Sequence, residues 1–250
     1  MTKFDKKDQS YEADIKELML DKEHMFGDLG DSVVLFEKAM STQGQKVKKV
    51  IADMLIFSEH KGIIGAEMKT FHDSTQRLLR QLRSYTVTCD YTYVICHDNH
   101  VPEVERILKR HKFHHVGIIA YREFQGKPLP GVYMEALKSP TKSTFHALNM
   151  LWKVELLRLL STLKKPHEVA MREQGRFDDV DILKTDSKYL NSFTKKMKKS
   201  QIISEIIAWL GEEEANKVLC QVFIQDRLHI ERAITMKHFN PPPKRRELDG

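Results

Sequence analysis

The apolar residues change their period along the chain, and the changes mark its elements. Tyr11, Ile15 and Leu18 stand at helical spacing and predict a helix over 11–20, ended before the turn-rich stretch Gly27-Asp28-Leu29-Gly30-Asp31. Three β-branched runs follow, Val33–Phe36, Val50–Phe57 and Ile63–Lys69, separated by turns around Gly44 and at Gly62. Asp73-Ser74-Thr75-Gln76 reads as a capping box for a helix reaching Thr86. A strand at Tyr93–Cys96 precedes a helix with Pro102 in its first turn and Val104, Ile107 and Leu108 on one face; a last strand covers Val116–Tyr121. The order helix, three strands, helix, strand, helix, strand predicts an α/β domain with a mixed sheet flanked by helices. It should end near Pro128-Leu129-Pro130-Gly131, by Pro140 at the latest.

Beyond Pro140 strand signals stop. Leu148, Leu151, Trp152, Leu156 and Leu159 or Leu160 keep helical spacing, a stripe read as core packing. Pro166–Tyr189 is polar and poorly periodic. The lysine run Lys195-Lys196-Met197-Lys198-Lys199 then leads into Ile202, Ile203, Ile206, Ile207 and Leu210 on one helical face, and a second helix over about Glu213–Ile230 should pack on it. The expected plan is an α/β core over 1–140, a helical appendage over 141–236 and a frayed tail over 237–250.

Composition narrows the class. In 250 residues, 41% hydrophobic and 30% charged content excludes a disordered chain, and the 11 Gly and 8 Pro exclude collagen-like sequence. No run approaches the ~18 apolar residues of a spanning helix, and Met1–Ser10 has no apolar signal core, so a cytoplasmic protein with no membrane partner is expected. Cys89, Cys96 and Cys220 are odd in number and irregularly spaced, which favours reduced thiols. Lysine and arginine exceed acids by 41 to 35, a net charge of +6 that by itself only solvates a surface.

The candidate chemistry lies in the middle strands. Asp53 interrupts the apolar run Val50–Phe57, and a carboxylate there is costly without compensation. Two residues apart in the next strand, Glu67 and Lys69 share a sheet face while Met68 points to the other. In the helix after them Leu78, Gln81, Leu82 and Tyr85 form the inward stripe, which sets an amide and a phenol over the sheet. An unpaired Gln81 there would cost about 1–3 kcal/mol, so a polar site beneath the helix is expected.

Asp53 followed by Glu67-Met68-Lys69 resembles the signature of the PD-(D/E)xK nuclease superfamily, and Gln81-Leu82-Arg83-Ser84-Tyr85 resembles the Gln-x-x-x-Tyr motif of its RecB-type branch. The chain is also similar to small bacterial and phage proteins of the MmcB type. The likeness covers roughly Tyr11–Tyr121; Ala52 stands where the motif's name has proline, and the four cysteines of the iron–sulfur relatives are missing. The resemblance implies a restriction-endonuclease-like core with a C-terminal helical appendage. It implies a metal-dependent deoxyribonuclease, a phosphodiester hydrolase of DNA repair, recombination or a phage or mobile element. Asp53, Glu67 and the backbone carbonyl of Met68 would hold Mg²⁺ or Mn²⁺; Lys69 would orient water and stabilise charge on the phosphate; Gln81 and Tyr85 would fix the ligands or the scissile phosphate. Glu12 resembles the additional acid that some members bring from the first helix, with Asp14 as its competitor.

Blander readings stand beside these. Asp53 alone fits a strand-end salt bridge, Glu67 with Lys69 a plain ion pair, and Glu37 a solvated strand end rather than a supporting acid. His97, His100, His111, His114 and His115 with Cys96 raise a zinc site, against which stands the absence of Cys-x-x-Cys spacing. The run Lys195–Lys199 is either a solvated face or a phosphate contact. The expected partners are DNA and, through the C-terminal helices, another protein or a second copy of the chain. The alternative function is a non-catalytic DNA-binding or adaptor module on a nuclease-like fold.

Overall fold

The structure is a computed structural model that describes residues 10–40, 50–161, 163 and 197–224. Helix α1 (Glu12–Asp21) leads through a short 3-10 turn into the strands β1 (Ser32–Met40), β2 (Val50–Ser58) and β3 (Gly62–Lys69). These are followed by α2 (Leu78–Thr88), β4 (Tyr91–His97), α3 (Val101–Arg110), β5 (Gly117–Phe124) and β6 (Lys127–Met134). Helices α4 (Thr144–Leu148), α5 (153–161), α6 (Lys199–Leu210) and α7 (Glu212–Ile224) complete the described chain.

One mixed sheet carries the strands in the order β1-β2-β3-β4-β5-β6. The pairs β1–β2, β2–β3 and β5–β6 are antiparallel, whereas β3–β4 and β4–β5 are parallel and joined across α2 and α3. The expected α/β class, with helices flanking a mixed sheet and further helices behind it, is the architecture observed.

Alternation along the strands divides the core. Val34, Phe36, Met54, Ile56, Ile64, Ala66 and Met68 meet Ile15 and Met19 of α1 on one face. Leu35, Leu55, Phe57 and Ile63 meet Tyr85 and Cys89 of α2 on the other. The helices after Pro140 share that second core through Leu148, Leu151, Leu156, Ile203, Ile206, Leu219 and Phe223. Phe223 stacks on Phe57 with ring centroids 3.7 Å apart. Asn216 of α7 donates its amide to the buried carboxylate of Asp90 at 3.0 Å, and the same oxygen accepts the Ile63 N–H at 2.9 Å.

Local details depart from expectation for identifiable reasons. Asp73 does not cap α2: its carboxylate turns back to accept the N–H and hydroxyl of Thr70 at 2.7 and 2.8 Å, and Ser74 caps a 3-10 turn at Thr75–Arg77 before α2 begins. The segment read as the end of the core is the sixth strand, with Pro128 and Pro130 paired to Glu123 and Tyr121. Proline donates no hydrogen bond, so the donors to β5 fall at alternate positions and both prolines are tolerated on an edge. Trp152 is 58% exposed rather than in the core, because it directly precedes α5 and holds the Glu155 carboxylate with its backbone N–H at 2.6 Å. Glu37 lies inside β1 rather than at its end. The polar stretch 166–189, Lys195 and Lys196, the helix beyond 224 and the tail over 237–250 lie outside the described residues.

Candidate active site

The β2–β3 register pairs Met54 with Ala66, which sets Asp53 level with Glu67 on the α2 face at the end of the ladder. α2 approaches this point closely because Gly65 lacks a side chain; a Cβ there would lie 2.5 Å from Tyr85 Cδ1 and 2.7 Å from Cys89 Sγ. The inward stripe of α2 therefore rests on the carboxylates. Gln81 is buried, and Tyr85 is completely so.

Glu67 is the hub, with no exposed surface. Its Oε1 accepts hydrogen bonds from both Lys69 Nζ and Gln81 Nε2, while its Oε2 is buried without a well-formed hydrogen bond and the Asp53 carboxyl and Tyr85 hydroxyl act on the same group. Lys69 also donates to the Met68 carbonyl at 3.1 Å. Asp53 Oδ2 accepts the Met68 N–H at 2.7 Å. Tyr85 ties the two strands by backbone contacts: its hydroxyl accepts the Asp53 N–H at 2.9 Å and donates to the Ala66 carbonyl at 3.1 Å. The Met68 side chain packs in the opposite core, as the strand period requires.

Burial dominates the electrostatics. It raises the Glu67 carboxyl to about 8, assisted by the charge of Asp53 and opposed by Lys69. Asp53 is also raised by burial, against the pull of the Met68 N–H and Lys69, and Glu12 pushes it further up. Two acids this close favour holding a proton over carrying two charges. Such a pair suits a cation: adjacent hard carboxylate oxygens, one of them buried without a well-formed hydrogen bond, fit Mg²⁺ or Mn²⁺. Among the described residues no group of three or more His, Cys, Asp or Glu is arranged to hold a metal, and the Met68 carbonyl accepts Lys69 instead of standing open.

Of the two acids on α1, Glu12 acts on Asp53, whereas Asp14 accepts the Tyr11 N–H at 2.9 Å at the head of the helix. Glu12 is bound in turn by Lys16 at 2.7 Å, and Lys16 reaches Glu37 at 2.9 Å. Glu37 sits level with Asp53 on its other flank, between the pairs Phe36↔Met54 and Lys38↔Ala52. Its backbone is left-handed, φ 56°, a conformation strained for a glutamate. Glu37 is more than half exposed and pairs its carboxylate with Lys16, so it does not join Asp53 and Glu67.

The histidines do not gather. His97 contacts Glu123 at 2.9 Å and Asp98 at 3.0 Å, and His100 reaches the Thr70 carbonyl at 2.9 Å. Cys96 is buried in the core, its thiol pushed up to about 12 by burial.

Fold and site together define an α/β protein whose central strands bring a half-buried Asp53 beside the buried Glu67 and Lys69, beneath a helix that supplies Gln81. The chain belongs to the bacteriophage P4 protein cII family, whose model matches residues 5–238, and this sets it in a phage context. No curated protein and no solved structure matches the chain. No helix among the described residues is long and apolar enough to cross a membrane.

Proposed function

We propose that this protein is a metal-dependent nuclease that hydrolyses phosphodiester bonds in DNA, in the manner of the PD-(D/E)xK superfamily and its restriction-endonuclease-like core. The observation that carries the reading is the setting of Glu67: one oxygen is held by Lys69 and Gln81, and the other is buried without a well-formed hydrogen bond, with the Asp53 carboxyl facing the same group. Two carboxyls buried side by side are costly as a pair of charges and are relieved either by a shared proton or by a bound cation.

Asp53 and Glu67 would hold Mg²⁺ or Mn²⁺, which when bound supplies Lewis acidity toward the phosphate and acidifies a water. Gln81 and Lys69 fix the Glu67 carboxylate in one orientation. Lys69, whose ammonium stands between Glu67 and the Met68 carbonyl, places positive charge where a phosphate entering the site would develop negative charge. Tyr85 keeps the two strands at constant separation. Glu12, on the far side of Asp53, is the residue that would complete a third ligand after release from Lys16.

Cleavage of labelled linear, branched and single-stranded DNA with Mg²⁺ or Mn²⁺ tests the reading. Lys69→Met should lower the rate by roughly 10²–10³-fold, and Asp53→Asn should abolish it, with circular dichroism unchanged. Full activity in both variants would overturn the assignment. One observation favours the second reading, a DNA-binding or adaptor module without catalysis: among the described residues no third acid joins Asp53 and Glu67, and a lysine takes the Met68 carbonyl. Tight DNA binding with no cleavage under either metal would select it.

A further inference from the structure

An exposed aromatic step stands on the segments that adjoin the cluster in the chain. Tyr11 immediately precedes Glu12 on α1, and its ring is 64% exposed. It stacks on His72, also exposed, with centroids 5.7 Å apart and planes 23° from parallel. Phe71 backs the pair, edge-on to His72 at 5.4 Å and to His97 at 5.1 Å. His72 follows Lys69 by three residues, which keeps its backbone within about 10 Å of the Lys69 backbone.

Both halves of the step are anchored. The Ser10 N–H donates to Glu123 Oε1 at 3.1 Å and the Tyr11 N–H to Asp14 at 2.9 Å, which fixes the entry to α1. The 70–73 turn is closed by the Asp73 N–H on the Thr70 carbonyl at 3.0 Å, by Asp73 on the Thr70 hydroxyl, and by His100 on the same carbonyl. A tyrosine and a histidine kept parallel in water, at a cost in side-chain entropy, present a flat π-surface that contributes nothing to the core. The exposed Arg77 and Arg80 follow in the 3-10 turn and the first turn of α2.

We infer that Tyr11 and His72 form a stacking platform for an unpaired nucleobase, so that the strand entering the site is single-stranded or has a frayed end. The inference rests on the nuclease reading and sharpens its substrate. A π-face attracts any base without reading its sequence, whereas bases inside a duplex are already stacked on their neighbours and gain little. The platform thus holds one nucleotide beside the residues that would act on the adjoining phosphate.

The test uses the full chain carrying Lys69→Met, so that binding is read without cleavage, and oligodeoxynucleotides with 2-aminopurine in single-stranded and blunt duplex form. Tyr11→Ala should weaken single-strand binding by roughly 5- to 100-fold and relieve the 2-aminopurine quenching. Tyr11→Phe should keep both, blunt duplex binding should not change, and His72→Ala should reproduce the loss. Single-strand affinity unchanged in both alanine variants would overturn the platform and leave the nuclease reading standing. Failure of the Lys69→Met protein to bind any oligodeoxynucleotide, together with no cleavage by the wild-type chain, would overturn both.

Discussion

Tyr85 and Asp53 are joined through the backbone: the phenol oxygen accepts the Asp53 N–H at 2.9 Å and its hydroxyl donates to the Ala66 carbonyl at 3.1 Å. The hydroxyl thus replaces a ladder bond where the two carboxylate-bearing strands part. Removing it in Tyr85→Phe strands a donor and an acceptor in the interior. Urea unfolding should show a loss of about 1–3 kcal/mol, with cleavage reduced less than in Asp53→Asn; unchanged stability would show that the strands need no such tie.

Gly65 should tolerate no side chain. Gly65→Ala sets a Cβ against Tyr85 and Cys89, both fully buried and unable to swing aside, so α2 must move outward. The expected cost is about 1–3 kcal/mol. Activity should fall more than the stability loss alone explains, because the same movement draws Gln81 away from Glu67. Equal melting temperatures for wild type and variant would contradict this packing.

The elevated Glu67 carboxyl has a stability signature in metal-free protein. Its ordinary value is 4.5 and its folded value about 8, so over that window the folded state keeps a proton that the unfolded chain has released. The contribution of this group is full below the ordinary value and is lost as the pH rises through the folded value; Asp53, raised as well, acts in the same direction. Melting temperature should therefore decline from about pH 5 toward about pH 9, and Glu67→Gln should flatten that decline. A wild-type profile as flat as the variant's would remove the basis for a protonated pair.

Phe223 tests how firmly the C-terminal helices belong to the sheet. Its ring lies on Phe57 inside a shared core, so Phe223→Ala should cost about 3–5 kcal/mol and broaden or lower a single unfolding transition. A separate early transition, with the sheet still folded, would mean that the helices melt independently.

What could be read from the sequence followed from local periodicity. Glu67 and Lys69 lie two apart in one strand, and Gln81 and Tyr85 lie four apart on one helix, so each pair's common face could be inferred without tertiary knowledge. The same reasoning brought the two pairs together, because a buried amide needs a partner. It failed where long-range pairing decides the outcome: Glu37 lies inside β1 rather than at its end because β1 goes on pairing with β2 to Met40, and its left-handed backbone has no sequence signal. It also failed at β6, where Pro128, Pro130 and Gly131 carry the composition of a loop but the position of an edge strand. The exposed Trp152 shows a third limit, since helical spacing continued through a break between α4 and α5.

The two prolines of β6 have an effect beyond their own pairing. With the donors to β5 supplied from alternate positions, the missing N–H groups at Pro128 and Pro130 fall on the outward margin, where a seventh strand would need them. That margin also displays Leu129, Val132 and Tyr133 to water, side chains that would otherwise invite edge-to-edge aggregation. Proline at two successive outward positions denies a neighbouring chain its hydrogen bonds, so a greasy rim can stay exposed without templating fibres.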